Sequence, residues 1–254
     1  MAYVSRSARD SIPRALSALL ATGSVTLLAL VWRQMTAPRS EHRARKTNAV
    51  PPEAPLPPPA AGEDTQRSQT GSGALFHRLY EVLLTDTGLT SAATLRLMHQ
   101  HMTDLAPSPL ARFEKSAGTV SHLRVGDEYD ITMLGPWNGR VRVTESSSEH
   151  FTLATLDGHP EVGHITFRVA ATNDPYDALC VQIESWARAR DAVVHAAYAT
   201  LGIGKQIQTE VWITFLQRLS ALVGMTGTPE VRITTEALDA DLLTLRESAV
   251  LTNG

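Results

Sequence analysis

Thr155-Leu156-Asp157-Gly158-His159-Pro160-Glu161-Val162-Gly163-His164-Ile165-Thr166-Phe167-Arg168-Val169 joins two strand-like runs through a compact Gly-His-Pro-Glu turn. Leu153 and Thr155 share one face before the turn, and Ile165, Phe167 and Val169 share one face after it. A period of two marks strands with one buried side. The segment therefore reads as two antiparallel strands.

The same pattern extends outward. Tyr129, Ile131 and Met133 alternate over 127–134. Gly135-Pro136-Trp137-Asn138-Gly139 breaks that run, and Val141 and Val143 then alternate with Arg140 and Arg142. Asn173-Asp174-Pro175 is a further turn, after which Val181, Ile183 and Ser185 share a face. Strands joined by short turns predict a curved antiparallel sheet, not βαβ units. Residues 75–84 suit a first strand. Ser91 is placed to cap a helix over 92–105, with Leu95, Met98, Met102 and Leu105 on one stripe; Pro107 and Pro109 end it. From Asp191 to about Leu222 the pattern is helical, with Val194, Ala197, Leu201, Ile207, Val211, Phe215, Leu219 and Leu222 forming an apolar stripe. So apolar a helix needs a large partner surface, which a curved sheet supplies. Val231–Thr235 reads as an edge strand, and 236–254 as a tail.

The 254 residues allow one moderate domain plus appendages. The net charge of −3 hides an asymmetry: residues 1–73 hold nine Lys/Arg against five Asp/Glu, and residues 74–254 hold fourteen against twenty-one. A domain at −7 carries no electrostatic footprint for nucleic acid. The lone Cys180 excludes an intramolecular disulfide and reads as a core thiol.

Residues 15–32 contain no charge. As a helix they would rise about 27 Å, close to the hydrocarbon thickness of a bilayer. Trp32 and Arg33 suit an interfacial end. The expectation is a single-pass anchor, with a cleaved signal peptide or a buried helix as alternatives. Arg33, Arg39, Arg43, Arg45 and Lys46 follow it, against Arg6, Arg9 and Arg14 before it, which places the domain on the cytoplasmic side. Six prolines between Pro51 and Pro59 lie in a stretch, 36–73, that reads as a disordered linker spacing anchor from domain. The expected organisation is an N-terminal segment (1–35), the linker (36–73), a globular domain (74–235) and a tail (236–254).

Leu156-Asp157-Gly158-His159-Pro160-Glu161-x-Gly163, with Ile203-Gly204-Lys205-Gln206-Ile207-Gln208, resembles the DUF1990 (UPF0548) family over roughly residues 74–235. That family looks related to the START-like (SRPBCC), helix-grip superfamily, whose members enclose apolar cavities. The resemblance implies an α+β helix-grip fold: a curved antiparallel sheet wrapped around a long C-terminal helix, here preceded by the apolar segment and the Pro-rich linker. It transfers a fold and little chemistry. In Glu184-Ser185-Trp186-Ala187-Arg188 the serine is kept, but Trp186 and Ala187 stand before the basic residue, a departure from the family pattern.

A cavity between sheet and helix is a natural apolar site with a few orienting polar groups. The candidates are Tyr129, Trp137, Glu161, Glu184, Ser185 and Trp186, each weighed against plain core packing. His159 and Glu161 form the one candidate acid–base pair. The structural alternative has His159 bonding the turn while Glu161 is solvated or paired with Arg168. His159, Glu161 and His164, with His99 and His101, invite a metal reading, but His99 and His101 stand two apart on a helix and cannot face one ion. No metal or cofactor is expected, and no phosphate, dinucleotide or nucleophile-elbow motif occurs. The leading function is a membrane-tethered module binding a small apolar or amphipathic ligand, lipid or isoprenoid-like. The alternatives are a polyketide-cyclase-like or hydrolytic enzyme, leaning against catalysis, and a membrane scaffold for a protein partner.

Overall fold

The computed structural model describes residues 39–46, 64–106, 110–119, 123–133, 138–172, 178–195 and 203–238. The apolar segment 15–32, the proline cluster, Trp137 and residues 239–254 lie outside them. No described helix is long and apolar enough to cross a membrane.

Nine strands form one curved, unclosed sheet. They are β1 (Arg39–Lys46), β2 (Ser72–Leu84), β3 (Ala111–Ala117), β4 (Glu128–Met133), β5 (Gly139–Ser146), β6 (His150–Thr155), β7 (Glu161–Ala171), β8 (Leu179–Ala189) and β9 (Val231–Leu238). The order across the sheet is β1-β9-β2-β8-β7-β6-β5-β4-β3. All neighbours are antiparallel except β1 and β9, which run parallel. The helices with both ends described are α1 (Ser91–Gln100), α2 (Met102–Leu105) and α3 (Ile203–Leu222), and residues 192–195 are also helical. This is the α+β helix-grip arrangement.

Cross-strand register decides which side chains meet α3. Tyr80 pairs with Ile183, Ile183 with Phe167, and Phe167 with Phe151, so one row of large apolar groups crosses four strands on the inner face. All four are fully buried. Phe151 and Phe167 stack at 4.4 Å, and Trp212 and Phe215 of α3 close on Phe167 at 5.5 and 5.6 Å. Deleting one such ring costs about 3–5 kcal/mol, so this cluster fixes the helix against the sheet. The helix is buried nearly all round between Glu210 and Phe215, as a core helix must be. Leu222, counted in its apolar stripe, is exposed.

Four features differ from the sequence reading. Residues 39–46, expected within the linker, form β1 and pair along their whole length with β9. Their composition carries no alternating apolar signal; the strand is held by backbone bonding and by Arg39, which reaches the Glu210 carboxylate on α3. In consequence β9 is an interior strand, not an edge. Residues 64–71 are also ordered: Gln66 N–H donates to the Thr155 carbonyl (2.8 Å), and Asp64 and Glu128 together hold Arg142. The helix over 92–105 breaks at His101 into α1 and α2, and its cap is Thr90, whose hydroxyl accepts from Ala93 N–H (3.2 Å), not Ser91. The stripe of Leu95, Met98, Met102 and Leu105 is buried across the break.

Candidate functional site

The turn between β6 and β7 builds one wall of the site. His159 N–H donates to the Leu156 carbonyl (3.0 Å), and Gly158, at φ +92°, takes the third position, as a type II turn requires. The His159 ring then folds under the turn. Glu161 N–H donates to His159 Nδ1 (3.0 Å). The same Nδ1 lies 2.9 Å from the Glu161 carbonyl, so the ring meets both backbone groups of Glu161, accepting from the N–H in one tautomer and donating to the carbonyl in the other. Gly139 of β5 leaves room for this ring: a Cβ there would fall 2.1 Å from its Cδ2. Burial, opposed by the Glu161 backbone bond and reinforced by Arg190, holds the imidazole down at about 4. His159 is neutral at pH 7 and a poor proton acceptor.

Beyond Pro160 the chain enters β7 with Glu161 on the inner face, opposite Ala189. Its carboxylate accepts from Gln208 Nε2 of α3 (3.0 Å). Gln208 Oε1 in turn accepts from a guanidinium nitrogen of Arg78 on β2 (2.6 Å). This relay ties β7, α3 and β2 together. Gly163 permits close approach of β7 to β8; it lies at φ +149°, and a Cβ there would fall 1.9 Å from the Trp186 carbonyl. Thr155 closes the β6 side, its hydroxyl accepting from Gly163 N–H (3.0 Å).

Between these elements and α3 lies a cavity of about 60 Å³. Phe113, Leu153 and Trp212 supply apolar wall; His159, Glu161 and Ser185 supply polar wall. For scale, an apolar cavity of about 150 Å³ takes a benzene ring. The space holds a polar headgroup or a few waters; a larger body needs α3 to move outward.

The structure divides the sequence candidates between two faces. Glu161 and Ser185 line the cavity. Tyr129 is on the inner face, 3 % exposed, its phenol pushed up to about 12 by burial and then by Asp127, but it packs beside the cavity without lining it. Glu184 and Trp186 are on the outer face, because Ser185 points inward and neighbours alternate. There Trp186 stacks on His77 at 3.9 Å, and Glu184 accepts from or pairs with His77 Nε2 at 2.8 Å. That contact, against opposing burial, holds the Glu184 carboxyl below its ordinary value. Both are corrected from cavity residues to outer-face packing. Trp137 is outside the described residues.

His159 and Glu161 do share the cavity wall, yet the imidazole is tied to the Glu161 backbone and the carboxylate to Gln208. Arg168, the expected partner of Glu161, is exposed on the opposite face, seven positions along a strand whose odd residues face inward. His164 borders the cavity, but its ring faces Glu184 and Glu145 on the outer side, and burial lowers its pKa. His99 packs edge-on against Phe151 and is held at about 4 by burial and then Lys115. These histidines do not converge, and no group of three metal-ligating side chains occurs among the described residues. Cys180 is half-buried on the outer face, and burial raises its pKa. The residue missed in sequence is Arg78. Its signal was present: Phe76, Tyr80, Val82 and Leu84 alternate, and Arg78 falls in their register.

The family model of a domain of unknown function, DUF1990, matches residues 46–220. The chain belongs to the DUF1990 family. The match includes the turn, the cavity wall and most of α3. No curated protein matches the chain. Among solved structures, this DUF1990 chain is similar to norcoclaurine synthase from Thalictrum flavum in complex with dopamine and hydroxybenzaldehyde, at 15 % identity and a TM-score of 0.43, covering 63 % of this chain and 93 % of that one. A hypothetical protein from Helicobacter pylori aligns at 11 % identity and TM-score 0.40, covering 57 % and 86 %. A protein from Nitrosomonas europaea aligns at 12 % and 0.38, covering 59 % and 94 %.

Proposed function

We propose that this chain is a membrane-tethered START-like domain that binds a small apolar or amphipathic ligand between the sheet and α3. The cavity carries the reading: aliphatic side chains with the Phe113 and Trp212 rings form its apolar wall, and a short set of polar groups faces them. Its size means that α3 must move outward to admit more than a headgroup. The uncharged run 15–32, followed by five basic residues through Lys46, supports an anchor with the domain on the cytoplasmic side.

Native mass spectrometry of the full-length protein, followed by solvent extraction, tests binding. A co-purifying apolar molecule is expected; its absence, with no uptake of added amphiphiles, refutes the reading. Membrane pelleting at high salt tests the tether separately. Full-length protein should pellet, and a chain starting at Pro38 should not. Full-length protein left in the supernatant removes the anchor and leaves the binding reading intact.

A further inference from the structure

Arg78 is 3 % exposed on the inner face of β2. A guanidinium carries five N–H donors. Among the described residues, only Gln208 Oε1 receives one of them, and the Phe76 ring lies 4.9 Å from the guanidinium carbon. A buried cation is costly unless an anion meets it. The carboxylate reached through Gln208 is Glu161, one full side chain away. Directly opposite Arg78 on β8 is Ser185, 2 % exposed, and its hydroxyl is buried without a partner. Ser185 and Gln208 both line the cavity. Arg78, which does not itself line the cavity, thus stands behind Gln208, beside a serine hydroxyl that lacks a partner.

We propose that Arg78 and Ser185 form the recognition point for the carboxylate of an amphipathic ligand, whose apolar body lies against Trp212, Phe113 and Leu153. The inference rests on the ligand-binding reading above and names the ligand class. Gln208 Oε1 occupies the position that a ligand oxygen takes, so binding exchanges an amide acceptor for a charged one as α3 shifts. A planar two-oxygen group matches the guanidinium fork, with Ser185 donating a third bond. Glu161, on the same Gln208 side chain, disfavours a second negative charge. This selects a monoanionic carboxylate over a phosphate monoester.

The test is calorimetric titration of the full-length protein with octanoate, octanamide and octyl phosphate, which share one alkyl body. Octanoate should bind roughly tenfold tighter than octanamide, the worth of a charge-assisted pair over a neutral one, and tighter than octyl phosphate. Arg78→Met should bring octanoate and octanamide within about twofold while octanamide affinity stays unchanged, which also shows that the site is folded. Ser185→Ala should weaken octanoate alone by roughly threefold. If Arg78→Met does not fold, Arg78→Lys decides: it keeps the charge, loses the fork, and should retain only part of the preference. Equal wild-type affinity for octanoate and octanamide overturns the proposal but keeps the cavity as an apolar site. Tighter binding of octyl phosphate overturns the choice of carboxylate. Binding of none of the three refutes the ligand-binding reading itself.

Discussion

Acidification should erode the stability that the buried His159 ring gives the turn. In the folded chain the imidazole is held at about 4, against an ordinary value of 6.5. The unfolded chain therefore takes up this proton first as pH falls. The stabilisation is fully present above pH 6.5 and is lost between 6.5 and 4. A gap of about two and a half units, at 1.36 kcal/mol each, amounts to about 3 kcal/mol. His99 is also held at about 4, and burial lowers His164, so the wild-type slope contains all three rings. His159→Asn separates them. Its amide can accept from the Glu161 N–H or donate to the Glu161 carbonyl, the two groups that Nδ1 meets, and it does not titrate. Urea unfolding at pH 7.5, 6.5, 5.5 and 4.5 should show the wild type losing about 1.4 kcal/mol per pH unit more than the variant below pH 6.5. Parallel losses in the two proteins would refute the argument. So would a His159 ring resonance that titrates near its ordinary value in the folded state.

Two further substitutions test the backbone that frames the site. Gly163→Ala places a Cβ against the Trp186 carbonyl and should cost about 3 kcal/mol or more, read as a fall in Tm; an unchanged Tm would mean that β7 and β8 do not approach so closely. Thr90→Ala should cost about 1 kcal/mol and Ser91→Ala a few tenths, measured by urea unfolding; the reverse order would assign the cap to Ser91.

Much of the sheet was legible because burial on one side imposes a period of two. Ile165, Phe167 and Val169 share the inner face as their spacing predicts. The same rule, pressed further, would have separated Glu184 and Trp186 from Ser185. They were grouped because they are adjacent and chemically suggestive, and adjacency in a strand means opposite faces. Arg78 was overlooked for the converse reason: a charged residue inside an apolar alternation reads as an exception, yet the register carries it inward. Strand β1 was not legible at all. Its composition is basic, its partner lies almost two hundred residues away, and parallel pairing leaves no hairpin turn to announce it.

That pairing changes what the proline tract does. Lys46 at the end of β1 and Leu75 on β2 flank the same residue, Leu238. Two strand spacings separate them, about 10 Å. The chain between them leaves the sheet and returns almost to its point of departure. Such an excursion measures no distance from a bilayer, whatever its length. Doubling it would add only about 0.6 kcal/mol of closure entropy and would not move the domain. Evolution could therefore lengthen or rewrite the proline tract without altering the pairing of β1 with β9.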